Sequence, residues 1–82
     1  MYRYQTHGTC STEIFFDVED NKVKNVKYTG GCNGNLQGIG RLVEGMDVEE
    51  VISRLEGVKC GRKPTSCPDQ LALALKAYKE QQ

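Results

Sequence analysis

The sequence predicts an α+β domain: a small three-stranded antiparallel sheet followed by three helices packed on one of its faces. Two observations carry this. Residues 2–29 fall into three runs of alternating character, separated by short turn signals, whereas residues 35–80 place their apolar side chains at helical spacing between glycines and capping residues. Strands grouped ahead of helices belong to α+β packing, not to alternating parallel units. Eighty-two residues are read as one domain, 1–82.

The first strand is expected over residues 2–7, with Tyr2, Tyr4 and Thr6 on one side and Arg3, Gln5 and His7 on the other. His7-Gly8-Thr9 reads as a turn. Residues 12–19 form the second strand, with Ile14, Phe16 and Val18 on its inner face, and Asp20-Asn21 supplies the next turn. The third strand covers 22–29. Val26 and Tyr28 share a face there, but Val23 is out of phase with them, which fits either a bulge or a shifted start of the strand. Short connections favour an antiparallel meander.

Thr29 to Asn35 is a glycine- and asparagine-rich loop, and a helix is expected from about 35 to 44, carrying Leu36, Ile39, Leu42 and Val43 and stopped by Gly45. Asp47 reads as the N-cap of the next helix, with Glu50 completing a capping box. Val48, Val51, Ile52 and Leu55 then form its apolar stripe, and Gly57 ends it. A basic loop follows over 58–65. The last helix begins near Cys67: Pro68 suits the first turn, Asp69 suits its positive end, and Leu71, Ala74, Leu75 and Tyr78 form the stripe.

A core this small is marginal without a cross-link or a metal, since 38% of residues are hydrophobic, none is Trp and only two are Phe. Lys plus Arg balances Asp plus Glu at 11 each, which argues against nucleic acid and anionic membranes as partners. No apolar run is long enough to span a bilayer, and the first residues lack the apolar core of a secretory signal, so a cytoplasmic location is expected. In that reducing compartment four cysteines point to metal or redox chemistry in preference to static disulfides.

Those cysteines are Cys10, Cys32, Cys60 and Cys67. Cys32 follows two glycines and precedes a helix, Cys60 precedes Gly61, and Cys67 precedes Pro68. With Pro68 as the first helical residue, Cys67 would be the N-cap, where the free N–H groups and the helix dipole favour thiolate. Four thiolates suit tetrahedral zinc, and Arg62 and Lys63 could offset the cluster's charge. The gaps of 21, 27 and 6 residues contain no Cys-x2-Cys knuckle, so spacing alone is weak support. An iron–sulfur cluster is compatible with the same ligands, as is a redox pair of Cys60 with Cys67. Against all of these stands free cysteine as a small buried hydrophobe, with Cys10 the most evenly balanced.

His7 reads as a partly exposed strand residue before it reads as a ligand, Asp69 as a cap of its own helix, and Glu49 and Glu50 as first-turn acids. Arg62 and Lys63 suit either an anion or plain solvent. No Ser/His/Asp set, P-loop or dinucleotide fingerprint occurs, so no catalytic residue is assigned.

At Pro64-Thr65-Ser66-Cys67-Pro68-Asp69, together with Thr9-Cys10, Thr29 to Asn35 and Cys60-Gly61, the chain resembles a stand-alone TSCPD-domain protein. Related domains end the adenosylcobalamin-dependent ribonucleotide reductases. The resemblance therefore implies a reductase or another protein as partner, or a nucleotide-binding role, and a reductase label by association. The chain has no room for a reductase barrel or a cobalamin site. A fainter resemblance is to U-type iron–sulfur scaffolds, with Cys32, Cys60 and Cys67 matching the three scaffold thiols. This chain has Asn33 and Asn35 where scaffolds usually carry Asp, and Ser66 where they often carry a ligand. Cys10 would then be the fourth ligand, which favours a closed zinc site. The expectation is a zinc-binding accessory or interaction module held by Cys10, Cys32, Cys60 and Cys67.

Overall fold

Three strands, β1 (Tyr2–Gln5), β2 (Ser11–Glu19) and β3 (Lys22–Gly30), pair antiparallel in the order β1-β2-β3. The computed structural model describes residues 1–9, 11–31 and 33–81. Asp20 and Asn21, both with positive φ (52° and 63°), join β2 to β3 with Glu19 opposite Lys22. Two left-handed residues are what a twisted two-residue hairpin turn demands. β1 stops at Gln5, two residues short of the expected end. Thr6 is drawn inward there, its N–H reaching the Thr12 carbonyl at 3.0 Å and its hydroxyl the Ser11 carbonyl at 2.6 Å.

Of the bulge and the shifted start that the phase of Val23 left open, β3 has the bulge. Phe15 faces Lys27 and Asp17 faces Lys24, so Phe16 lies opposite the two residues Asn25 and Val26. Asn25 takes the left-handed conformation (φ 55°), donates its N–H to Glu44 and its amide to Asp17. The extra residue restores phase: Val23 lies in the buried core and Val26 and Tyr28 pack beside it. A second irregularity, at Thr12, sits between the Ser11–Gly30 and Glu13–Thr29 pairs.

Three helices follow: α1 (Asn33–Val43), α2 (Val48–Leu55) and α3 (Cys67–Glu80). α1 starts two residues earlier than expected. Its glycines weaken intrinsic helicity, but packing holds it: Leu36 is buried, and a Cβ on Gly40 would lie 2.9 Å from the Val26 carbonyl oxygen. The capping box of α2 does not form. Asp47 is the N-cap residue without a side-chain cap bond; its carboxylate pairs with Lys22, and Glu50 pairs with Arg54. Glu49, expected to serve the helix start, accepts from Asn21 and pairs with Lys79, and these partners hold its carboxyl below the usual range.

All three helices pack on the face bearing Ile14, Phe16 and Val23, where Val43, Val48, Val51, Leu71, Ala74 and Leu75 complete the core. Near the far end of α3, Tyr78 meets Tyr2 edge-on with centroids 4.8 Å apart, and Tyr2 stacks on Phe16 at 5.6 Å. The connector between α1 and α2 pairs with the start of β3: Val23 N–H donates to the Met46 carbonyl at 2.8 Å and Gly45 N–H to the Val23 carbonyl at 2.7 Å. Among the described residues no helix is long and apolar enough to cross a membrane.

Candidate metal centre

At the opposite end of α3 from Tyr78, the residues Thr65 to Gln70 divide several tasks. Ser66, not Cys67, is the N-cap: its backbone is extended (φ −149°) and its hydroxyl oxygen accepts from Asp69 N–H at 3.2 Å. Serine's oxygen is the better acceptor for this role, and Pro68 tolerates the second helical position because that N–H is unpaired anyway. Cys67 is therefore the first residue of α3. Asp69 does not cap its own helix with its carboxylate. Its two oxygens accept from Gly57 N–H at 2.7 Å and from the Thr65 hydroxyl at 2.5 Å, while Gln70 donates to the Thr65 hydroxyl at 3.0 Å. The Ser66 hydroxyl in turn donates to the Val58 carbonyl. These bonds fasten the 57–66 loop to the head of α3.

That loop carries Cys60, whose N–H donates to the Thr65 carbonyl at 3.2 Å and whose carbonyl accepts from Lys63 N–H. Cys60 is exposed, as are Lys59, Arg62 and Lys63 around it; Cys67 is part-buried.

The 6–11 segment closes on the same end. His7 N–H donates to the Gln70 side chain at 3.0 Å, and Gly8 packs against Thr65. The Thr6 and Thr9 hydroxyls both donate to the Ser11 carbonyl. Ser11, 3% exposed, lies with its hydroxyl 3.2 Å from Cys67 Sγ. It also pairs with Gly30 across the sheet. Gly31 (φ +77°) presses on it so closely that a Cβ would stand 3.3 Å from Ser11 N and 2.8 Å from Leu36 Cδ1. Only glycine fits both that backbone and that space. Tyr28 donates its hydroxyl to the Cys67 carbonyl at 3.0 Å; burial raises its pKa, and the charge of Cys67 adds to the effect.

The geometry thus brings together Cys67, the immediate chain neighbours Ser11 and Gly31, and the loop bearing Cys60. Cys10 and Cys32 themselves lie outside the described residues. Among the described residues no three His, Cys, Asp or Glu side chains group to hold a metal. His7 is exposed, and its backbone is what it contributes here. Sequence reasoning missed Ser11, Tyr28 and Gln70. Gln70 adjoins the Thr-Ser-Cys-Pro-Asp run and could have been read with it, whereas nothing in spacing marks Ser11 or Tyr28.

A family model for the TSCPD domain matches residues 2–79. The chain belongs to the TSCPD-domain family. No curated protein and no solved structure gives a significant match. The Thr-Ser-Cys-Pro-Asp run after which such a description is spelled out occupies 65–69 here, and in this TSCPD domain four of its five side chains have structural explanations independent of any ligand: Thr65 and Asp69 tie the loop, Ser66 caps, and Pro68 fits the first turn. Cys67 is the exception. Its sulfur faces a buried hydroxyl at the meeting point of three chain segments.

Proposed function

We propose that this TSCPD domain is a zinc-binding accessory or interaction module whose ligands are Cys10, Cys32, Cys60 and Cys67. The observation that carries the reading is the 3.2 Å approach of Ser11 Oγ to Cys67 Sγ. Ser11 is bonded to Cys10, and Gly31, packed on Ser11, is bonded to Cys32. The residue after Cys10 therefore meets Cys67, the residue before Cys32 packs on that same residue, and the Cys60 loop is hydrogen-bonded to Thr65, two residues before Cys67.

The donor chemistry fits a thiolate-only site. Asp69 has both oxygens engaged, so the carboxylate nearest Cys67 in sequence is already committed. Exposed Lys59, Arg62 and Lys63 beside Cys60 suit the excess negative charge of four thiolates around a divalent ion. A closed site of this kind would supply stability that a domain of 82 residues needs. The partner we propose is a ribonucleotide reductase or another protein, on the strength of the sequence resemblance; the balanced charge disfavours nucleic acid.

The exposure of Cys60 supports a second reading, a dithiol relay with Cys67. An iron–sulfur site on the same thiols is the third outcome. Metal analysis and absorption spectra of anaerobically purified protein, with Cys→Ser variants at all four positions, separate them. Zinc predicts a colourless protein with about one metal per chain, lost in every variant. A brown protein with visible absorption identifies a cluster. Absence of metal with a reversible Cys60–Cys67 disulfide identifies the relay. Full metal content and unchanged stability in all four variants would refute the assignment.

A further inference from the structure

We infer that Ser11 is a positioning residue for the metal site, its hydroxyl donating a hydrogen bond to the metal-bound sulfur of Cys67. The inference rests on the zinc-binding reading above and deepens it. Ser11 is 3% exposed, so its hydroxyl proton has few places to go. Among the described residues two acceptors are in reach, Cys67 Sγ and Thr9 Oγ1, each at 3.2 Å. The Thr9 hydroxyl directs its own proton to the Ser11 carbonyl, which leaves the Thr9 oxygen as the competitor for the Ser11 proton.

The chain of hydroxyls can satisfy both states of Cys67. With a thiol, S–H can donate to Ser11 Oγ, Ser11 to Thr9 Oγ1, and Thr9 to the Ser11 carbonyl. When a metal ion displaces the thiol proton to water, the sulfur becomes acceptor only, and the Ser11 proton rotates towards it. Neither arrangement strands a buried polar group. A donor held against a ligating sulfur orients it and draws off charge, as outer-shell partners of metal ligands do. The Thr6 and Thr9 bonds to the Ser11 carbonyl and the pressure of Gly31 fix the backbone from which this hydroxyl projects.

Cobalt(II) is the probe, because its sulfur-to-metal charge-transfer band reports the charge on the ligating sulfurs. In the full chain, Ser11→Ala is expected to move that band to lower energy and to weaken cobalt binding about ten-fold against a competing chelator. Ser11→Thr, which keeps a hydroxyl, is expected to restore the band. Thr9→Val removes the competing acceptor and one of the two hydroxyls on the Ser11 carbonyl, but it keeps the Ser11 hydroxyl and the shorter Thr6 bond that holds that carbonyl, so its band is expected to move the opposite way; this variant carries the test should Ser11→Ala not fold. Wild-type protein that binds cobalt, with an unchanged band in Ser11→Ala or a Thr9→Val shift in the same direction as that of Ser11→Ala, overturns the role of Ser11 and leaves the metal site standing. Wild-type protein that binds no cobalt overturns both.

Discussion

Replacing Asp69 by Ala takes two acceptors out of a buried site. Asp69 is 8% exposed, and its oxygens hold Gly57 N–H at 2.7 Å and the Thr65 hydroxyl at 2.5 Å. A hydrogen bond to a charged group contributes about 1.5–3 kcal/mol. The two bonds share one loop and do not add in full, because the loosened loop lets Gly57 reach water. The expected loss is therefore about 3 kcal/mol, set against a total stability of about 4–12 kcal/mol for a chain of 82 residues. Asp69→Asn should cost only about 1 kcal/mol: its oxygen can keep Gly57, and its amide can donate to the Thr65 oxygen, which already accepts from Gln70. Urea denaturation at fixed zinc concentration gives both values from the shift in midpoint at constant slope. Alkylation of Cys60 should accelerate in Asp69→Ala beyond the change in Asp69→Asn, since the loop that carries it is no longer fastened. An Asp69→Ala loss below about 1 kcal/mol, or equal losses in the two variants, would refute the view that this carboxylate locks the loop to the helix.

Three further expectations follow from the same geometry. Phe16→Ala empties the space beneath Tyr2 and Tyr78 and should destabilise the domain by about 3–5 kcal/mol, read by thermal melting. Gly40→Ala must push α1 away from the Val26 carbonyl and should cost about 1–3 kcal/mol, whereas Gly38→Ala, with open space around its Cβ position, should be neutral or stabilising in the same assay. Glu49 has its carboxyl pKa lowered from 4.5, by Asn21 first and Lys79 next. Its contribution to stability is thus present above that unfolded value and is lost as pH falls through the lower folded one. Glu49→Gln should flatten the acid limb of the stability–pH curve below about 4.5; an unchanged limb would show that the pairing does not survive in solution.

What the sequence could reveal depended on whether the information was local. Strand phase, the Asp20-Asn21 turn and the α3 stripe are written in neighbouring residues; Val23 falling out of step signalled an irregularity, but only the folded register separates a bulge from a shifted start and places it at Asn25 and Val26. The start of α1 was misplaced because glycine and asparagine argue for loop, while the contacts that override them come from Leu36 and from β3. The α2 capping box looked complete in sequence, yet Lys22 and Arg54 compete for its two acids. At the candidate site, the placement of Cys67 at a helix start was legible to within one residue. The hydroxyl facing its sulfur comes from 56 positions away in the chain, and only the folded sheet brings it there.

The backbone pairing between the α1–α2 connector and Lys22–Val23 also bears on how this protein avoids unwanted association. A three-stranded sheet has two free margins, each able to recruit a strand from another molecule. The connector occupies the start of one margin with its own amide and carbonyl groups, and the bulge at Asn25 interrupts the regular spacing a foreign strand would need further along. The remaining margin belongs to β1, only four residues long and bearing Arg3. An incoming strand therefore meets either four residues at β1 or a β3 margin that is covered at its start and bulged in its middle, and neither presents a long regular row of free amide and carbonyl groups.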